Sequence, residues 1–132
     1  MAEFHDSREW MPRSEREKHL SEGLRRICQY AYRNAPAMKR KFDDAGLAPD
    51  RIRSLSDLER IPITSRDDFI KAQRTDPPFG GFLAVPINNL KRIYVHPGPQ
   101  YETLADSDTE HVTRTLSKVG LQKGDVVINA VS

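Results

Sequence analysis

The sequence predicts an α/β fold, in which a helical N-terminal region leads into the first strands and crossover helix of an incomplete parallel sheet. Apolar residues recur at the helical period in the first third of the chain. After about residue 76, β-branched and aromatic residues instead form short runs, as they do in strands. The last run, residues 126–131, has the composition of a strand buried on both faces, which is typical of a parallel sheet covered by helices.

The first helix is predicted after a flexible arm over residues 1–12. Ser14 and Glu17 have the spacing of a capping box at its start. One apolar face then follows at helical spacing. Its members are Leu20, Leu24, Ile27, Cys28 and Ala31. Residues 13–75 are interpreted as a helical N-terminal region on this basis.

Two more helices and a capped turn complete this region. The second helix fits residues 36–45, with Met38, Phe42 and Ala45 on one side and Gly46 as its C-terminal stop. A turn over residues 54–58 is capped by Ser54 or Ser56. The third helix begins after Thr64 or Ser65, carries Asp67 and Asp68 in its first turn, and ends near residue 74.

Residues 76–132 are predicted to begin the α/β part of the chain. The sequence TDPPFGGF is a loop, and the runs FLAVP and LKRIYV are predicted strands. A helix over residues 107–119, capped by Asp106 or Ser107, is expected to bury Val112, Leu116 and Val119. This chain supplies at most one crossover unit for a parallel sheet, and we therefore expect it to be a piece of a larger fold.

Charge and cysteine content limit the classes of function. The 21 basic and 19 acidic residues give a net charge of +2, so no long-range field attracts a polyanion. Acidic pairs at 43–44 and 67–68 interrupt the basic clusters, which argues against a nucleic-acid partner. One cysteine, Cys28, is typical of a reduced intracellular protein. With no apolar leader and no membrane-length apolar run, a cytoplasmic protein without a membrane partner is expected.

The stretch RIYVHPGPQYE raises the central functional question. An apolar run, residues 93–95, ends abruptly in His96, Pro97, Gly98 and Pro99. A strand that runs into a rigid exposed loop can present a phosphate site, a substrate loop or only a turn. The local residue types do not decide between these three.

The order of short segments over residues 18–132 resembles the N-terminal region of phenylacetate-CoA ligases, members of the adenylate-forming acyl-CoA synthetase superfamily. The matching segments are residues 24–26, 30–36, 41–42, 45–47, 52, 54–58, 61–64 and 67–68, and the tail VGLQKGDVVINAVS. No single segment is a catalytic signature, but the ordered set is specific. The resemblance implies that residues 76–132 begin the AMP-binding domain of such an enzyme.

The resemblance also implies an activity and its cofactors. The family adenylates a carboxylic acid with ATP and Mg²⁺ and then transfers the acyl group to coenzyme A. An aryl acid is the substrate class that the resemblance implies, and the residues of this chain do not specify the acid. The contacts to the base and ribose, the acid that holds magnesium and the C-terminal lysine would lie beyond Ser132. No catalytic residue or metal ligand is therefore assigned, and the chain alone is expected to be inactive. Its partners would be a missing C-terminal portion or a second copy, because the family's N-terminal helices form subunit contacts.

The resemblance places a nucleotide loop after residues 93–95. Candidate residues are His96, Gly98, Gln100, Tyr101 and Glu102. The family normally has Ser, Thr and Gly there, ending in Lys-Pro, whereas this loop resembles a divergent branch with Ser-Pro-Gly-Pro-x-Tyr-Glu. Its prolines lack N–H donors, and it has no lysine, so it is a poor cradle for ATP phosphates. His96 is left with two interpretations, a phosphate or acid–base group and an ordinary strand-end histidine.

Two functions from different classes remain open at this point. One is a truncated acid-CoA ligase, and the other is a non-catalytic interaction or assembly module derived from the same fold. An unpaired strand would suit a module that accepts a partner's strand. A reading frame that continues past Ser132 with ligase-like sequence would favour the enzyme.

Overall fold

The structure is a computed structural model that describes residues 7–106, 110–128 and 130. It divides into two compact units. One unit is residues 13–106, and the other comprises residues 1–12 and 107–132. All of the candidate loop residues belong to the unit of residues 13–106.

Three helices form the helical part of the larger unit, as the sequence predicts. They are α1 (Arg13–Asn34), α2 (Pro36–Asp44) and α3 (Arg66–Thr75). Ala35 separates the first two in an extended conformation, with φ −112° and ψ 106°, because a residue before proline avoids the helical region. Gly46 follows α2 at φ +59°, which confirms its predicted role as a helix stop. Short 3₁₀ helices connect the rest, at Pro49–Arg51, Leu55–Arg60 and Ile87–Asn89.

The core of this unit lies where α1 and α2 meet the chain that follows them. Phe42 and Ile52 are both 0% exposed, and they pack with Cys28 and Leu47. The ring of Tyr32 meets Phe42 edge-on, with 6.0 Å between ring centroids. Burial raises the pKa of the Cys28 thiol, as expected for a cysteine in apolar surroundings.

The predicted apolar face of α1 is buried only in part. Cys28 is buried and Leu24 packs against the core, but Leu20 and Ile27 remain 47% and 57% exposed. The prediction for these two residues is wrong for a geometric reason. The buried face of α1 is centred on Leu24, Cys28 and Tyr32. At about 100° per residue, Leu20 and Ile27 lie about 80° and 100° around the helix from Cys28.

The turn before α3 confirms one of the two predicted caps. Ser54, not Ser56, precedes the 3₁₀ helix Leu55–Arg60. Asp57 folds back over this turn, and its carboxylate accepts hydrogen bonds from the backbone N–H groups of Arg53 and Ser54, both at 3.0 Å. The Ser54 hydroxyl and the Arg60 guanidinium also donate to this carboxylate, at 3.0 and 3.2 Å.

These bonds predict a stability change in acid. The N–H donors, the Ser54 hydroxyl and the Arg60 guanidinium lower the pKa of Asp57 from 3.8 to about 2. A depressed carboxyl pKa stabilises the fold above the unfolded-state value, and this contribution is lost as the pH falls through the folded-state value. We therefore expect Asp57→Asn to flatten the fall in unfolding free energy between pH 4 and 2, measured by urea denaturation. An unchanged pH profile in the variant would contradict this assignment.

Ser65, one of the two residues that the sequence predicts for this position, is the N-cap of helix α3. The Ser65 hydroxyl accepts the Asp68 N–H at 3.1 Å and donates to the Asp68 carboxylate at 2.6 Å. These bonds lower the pKa of Asp68, and a carboxylate in the first turn also interacts favourably with the helix dipole. The ammonium of Lys41 donates to the Thr64 hydroxyl beside this end. Burial lowers the pKa of Lys41, although the nearby Asp68 opposes the shift.

A β-hairpin follows the helices. Strand β1 (Arg92–His96) pairs with β2 (Gln100–Leu104) in antiparallel register, with His96 opposite Gln100 and Tyr94 opposite Glu102. The strand predicted in LKRIYV is confirmed, whereas β2 forms where the sequence predicts a loop. Among the described residues the sheet is this antiparallel pair, so the predicted parallel pairing is not observed. Residues 97–99 form the turn, which we call the hairpin tip.

The segment FLAVP, predicted as a strand, is irregular. Side chains of two helices contact this segment where a predicted strand would have a neighbouring strand beside it. The Phe82 ring packs on Phe69 of α3, with 4.9 Å between centroids. The Ala84 carbonyl accepts the Tyr30 hydroxyl of α1 at 3.1 Å. Apolar composition indicates burial here, but the partner is a helix face.

The second unit contains α4 (Glu110–Lys118) and a 3₁₀ helix at Ser7–Trp10. Gly120 closes α4 at φ +90°, and the Leu121 N–H donates to the Leu116 carbonyl at 3.0 Å, as expected of a helix C-cap. Residues 107–109, including the predicted cap Ser107, lie outside the described residues. The other predicted cap, Asp106, belongs to the larger unit, where its carboxylate pairs with Lys91 at 3.2 Å.

The apolar segments of this second unit are more exposed than the sequence predicts. The sequence predicts burial of Val112 and Leu116 in α4 and of Val119 directly after it, and all three are exposed. Val126 and Ile128 are 91% and 87% exposed, and residues 126–128 and 130 form no strand, while residues 129 and 131 lie outside the described residues. A two-sided burial requires packed layers on both faces, which the described residues do not provide. No helix in the described part of the chain is both long and apolar enough to cross a bilayer.

Candidate functional site

A cleft of about 770 Å³ opens between the hairpin and the start of α3. This volume is within the range of small-molecule sites, about 300–1,000 Å³. Met38, Phe69 and Phe82 provide its apolar surface, and Thr64, Ser65 and Arg66 line the helix side. The hairpin side is formed by His96, Pro97, Gln100 and Glu102. The cleft therefore combines an apolar floor with several hydrogen-bonding groups.

Three of the five predicted loop residues share this wall. His96, Gln100 and Glu102 all line the cleft, because alternate residues of paired strands lie on the same face of the sheet. The His96 Nε2 lies 3.0 Å from the Glu102 Oε2. This pair is exposed, so its contribution to stability is small, and both of its side chains line the cleft.

The other two predicted residues lie elsewhere. Gly98 lies at the centre of the hairpin tip with φ +126°, a conformation that favours glycine. It lines a separate cavity of about 310 Å³ together with Asp67, Ile70, Lys71 and Arg74. The neighbouring N–H and C=O of Tyr101 are occupied by a side chain from α3. Neither Gly98 nor Tyr101 lines the larger cleft.

Two arginines of α3 hold the hairpin tip. The guanidinium of Arg66 donates to the Pro97 carbonyl at 2.9 Å and to the Gln100 side-chain oxygen at 3.2 Å. The guanidinium of Arg74 donates to the Gly98 carbonyl at 3.1 Å. Two consecutive carbonyls of the tip thus face cationic donors from one helix, and charge-assisted bonds of this kind are stronger than neutral ones.

Gln73 attaches the second strand to the same helix. Its side chain is buried, at 5% exposure. The Gln73 carboxamide donates to the Tyr101 carbonyl at 2.7 Å and accepts the Tyr101 N–H at 2.9 Å. The carboxamide thereby replaces a neighbouring strand at the outer edge of β2 and satisfies both polar groups of one residue. The conformation of residues 96–102 is set by α3 through Arg66, Gln73 and Arg74.

Sequence reasoning missed these three α3 residues. The signal was present in their spacing, because residues 66, 70, 73 and 74 fall on one face of a helix. That face is polar apart from Ile70, and polar helix faces are normally exposed to solvent. The pairing became visible only once β2 was placed against the helix. No group of three or more His, Cys, Asp or Glu side chains within the described residues is arranged to hold a metal ion.

The sequence is similar to curated acid-CoA ligases. It is 33% identical to the phenylacetate-coenzyme A ligase of Thermus thermophilus over 130 residues, which covers 92% of this chain and 28% of the relative. It is 41% identical to the Escherichia coli K12 phenylacetate-coenzyme A ligase over 75 residues, covering 57% of this chain and 16% of that enzyme. The Aromatoleum evansii enzyme of the same name is 34% identical over 114 residues, covering 80% of this chain and 25% of that enzyme.

The chain is related to the N-terminal portion of phenylacetate-CoA ligases. The fold agrees with this relationship. A crystal structure of 2-hydroxyisobutyryl-CoA ligase in the postadenylation state, in complex with 2-HIB-AMP, superposes with a TM-score of 0.81 at 31% identity. The match covers 87% of this chain and 26% of that enzyme. The same ligase in its thioesterification state, with 2-HIB-AMP and CoA, gives a TM-score of 0.79.

The match covers only part of each relative, which limits what it says about function. The chain spans about a quarter of the length of the ligases that it matches, between 16% and 28%. No protein-family profile matches it. The predicted fold class, the start of an adenylate-forming ligase, is confirmed by these comparisons. The activity and the substrate belong to ligases about three and a half times as long as this chain.

Proposed function

We propose that this chain is the N-terminal part of an acid-CoA ligase, which adenylates a carboxylic acid with ATP and transfers the acyl group to coenzyme A. The observation that carries the proposal is 33% identity to a phenylacetate-coenzyme A ligase across 92% of the chain. The superposition on a ligase with a bound acyl-adenylate supports it further. Within this proposal, residues 76–132 begin the AMP-binding domain, and residues 13–75 form its helical N-terminal region.

The cleft beside the hairpin fits this role as one wall of a larger site. His96, Gln100 and Glu102 face it from the hairpin, and Ser65 and Arg66 face it from α3. One wall cannot hold ATP, an acid and coenzyme A in reacting positions, and positioning supplies much of the rate of such reactions. ATP, Mg²⁺ and coenzyme A are therefore proposed as cofactors of the complete enzyme, and an aryl acid as its substrate.

The isolated chain is expected to be inactive for this reason. Incubation with phenylacetate, ATP, Mg²⁺ and coenzyme A should give no acid-dependent AMP. A chimaera in which this chain replaces the matching first quarter of the Thermus thermophilus ligase should form AMP and acyl-CoA in an acid-dependent reaction. The Thermus thermophilus ligase without that quarter is the matched control, and it should show neither product.

The non-catalytic alternative is an interaction module derived from the same fold. The exposed side chains of Ile93, Tyr94 and Val95 on β1 agree with it, since exposed apolar strands attract partners. The chimaera separates the two functions. A folded chimaera with no acid-dependent AMP formation would contradict the enzyme proposal and favour the module, whereas restored turnover would support the enzyme.

A further inference from the structure

A separate cleft of about 600 Å³, which we call the α1 cleft, lies between α1 and the segment of residues 50–53. This volume is within the range of small-molecule sites, about 300–1,000 Å³. Its lining residues are Lys18, Ser21, Glu22, Arg25 and Gln29 of α1, together with Asp50 and Arg53. All of them belong to the unit of residues 13–106, and none lines the cleft beside the hairpin.

The core fixes the two walls of the α1 cleft. The other residues of the α1 wall lie three, four, seven and eleven positions after Lys18, which places all five on one face of the helix. The opposite wall includes the position of Ile52, which is 0% exposed and packs with Cys28 of α1. The Arg53 Nε also donates to the Asp50 carbonyl at 3.3 Å. The cleft is therefore bounded by elements that the hydrophobic core holds together.

Charges of both signs surround this cleft. The cations Lys18, Arg25 and Arg53 and the carboxylates of Glu22 and Asp50 are all exposed. No ion pair joins any two of these five side chains, each of which the structure describes. Since they do not pair with one another, each can attract a ligand group of opposite charge. The surplus of one positive charge favours a ligand with one net negative charge.

Neutral polar groups lie among these charges. Ser21 and Gln29 are half-buried, so they lie deeper than the charged side chains. A hydroxyl and a carboxamide can each donate and accept hydrogen bonds. The α1 cleft therefore suits a polar ligand and offers little apolar surface for a hydrocarbon chain.

The two carboxylates of the cleft have different surroundings. Glu22 lies four positions after Lys18 and three before Arg25, a spacing at which opposite charges on a helix attract each other. Asp50 lies on the opposite wall, away from this helix face. Asp50 is therefore the better partner for a cationic group of a ligand.

We propose that the α1 cleft binds a small dicarboxylic amino acid, which has two carboxylates and one ammonium group. In this site Lys18, Arg25 and Arg53 pair with the carboxylates, and Asp50 pairs with the ammonium group. Guanidinium groups suit this recognition because they bind a carboxylate through two parallel N–H groups. A dicarboxylate without an ammonium group fits less well, since Asp50 repels it. The inference is independent of the proposed function, because the two clefts share no residue.

The first test is an NMR titration of the 132-residue chain with L-glutamate as the probe. The backbone amides of Ser21, Arg25 and Gln29 should shift saturably. Glutarate has the same carbon chain and both carboxylates but no ammonium group, and its Kd should be higher by about threefold or more. Sodium chloride at the same ionic strength should not reproduce the shifts.

Charge variants then test each half of the site. Arg25→Gln should raise the Kd for L-glutamate by about threefold or more. The matched control Arg26→Gln removes the same charge from the next residue, which does not line the cleft, and should change the Kd less than about 1.5-fold. Asp50→Asn should weaken the binding of L-glutamate but strengthen that of glutarate, because it removes the partner of the ammonium group and the repulsion of the dicarboxylate. Asp44→Asn, an exposed carboxylate of α2 outside the cleft, should change neither.

Four outcomes would overturn the inference. One is the absence of saturable shifts in the folded wild-type chain, and another is their reproduction by sodium chloride. The third is an equal rise in Kd in Arg25→Gln and Arg26→Gln. The fourth is a Kd for glutarate as low as that for L-glutamate in the wild-type chain. The wild-type titrations require no variant, so a variant that fails to fold does not weaken the test.

Discussion

Phe42→Ala should lower the free energy of unfolding by about 3–5 kcal/mol, the usual cost of removing a buried phenylalanine ring. Phe42 is 0% exposed and packs with Cys28, Leu47 and Ile52. Domains of this size have a total stability of about 5–15 kcal/mol, so this single change removes a large part of it. Urea denaturation followed by circular dichroism measures the change directly.

The control for this variant is Ile63→Ala. Ile63 is also a large apolar residue of the same unit, but it is 92% exposed. Its replacement should change stability by no more than about 0.5 kcal/mol. If both variants lost the same stability, the core at the junction of α1 and α2 would be wrongly placed.

The second large effect is expected at Gln73. Gln73→Leu keeps an apolar stem of similar size but removes both bonds to Tyr101. The Tyr101 N–H and C=O would then lose their partners at a partly buried position, and each unsatisfied group costs about 1–3 kcal/mol. We expect a loss of about 2–4 kcal/mol, together with faster hydrogen exchange of the Tyr101 amide.

Two further variants define this effect. Gln73→Glu retains an acceptor for the Tyr101 N–H but turns a carboxylate oxygen towards the Tyr101 carbonyl, so it should also destabilise the hairpin. Thr75→Val, on the same helix, removes only a local bond to the Lys71 carbonyl and should leave Tyr101 exchange unchanged. Wild-type exchange at Tyr101 in Gln73→Leu would show that α3 does not hold β2.

The helices could be predicted because their signals are local. Ser54, Ser65 and Gly46 act within one turn of their own position, and each is found where the sequence places it. The buried position of Phe42 follows from the helical period in the same way. Capping and periodicity need no knowledge of distant segments.

The hairpin and its attachment could not be predicted in this way. Strand β2, QYETL, has the polar alternation of an exposed segment, and the two prolines before it favoured a loop. Gln73 and Tyr101 are 28 residues apart, and nothing in either segment indicates the other. The exposed residues Val126 and Ile128 show the same limit, because composition indicates that a side chain is suited to burial and does not specify what covers it.

The sequence indicates only part of the candidate site, because the rest depends on contacts between distant segments. The resemblance located residues 96–102 by their order along the chain, and the structure brings His96, Gln100 and Glu102 to one cleft. The arginines that hold the tip come from a helix that begins 30 residues before His96. Their role depends on the three-dimensional packing of α3 against the hairpin, which the linear pattern does not contain.

The attachment of the hairpin to α3 requires a fixed spacing between the contacting residues of the helix. Arg66 and Gln73 are seven residues apart, about two helical turns or 10 Å, while the tip carbonyl of Pro97 and the backbone of Tyr101 are four residues apart along the hairpin. Both contacts form only when Arg66 and Gln73 lie on the same face of α3 and at the spacing of Pro97 and Tyr101 along the hairpin. One residue inserted between them would rotate Gln73 by about 100° away from β2. This stretch of α3 can therefore tolerate substitutions at its exposed positions, but its length is fixed by the hairpin beside it.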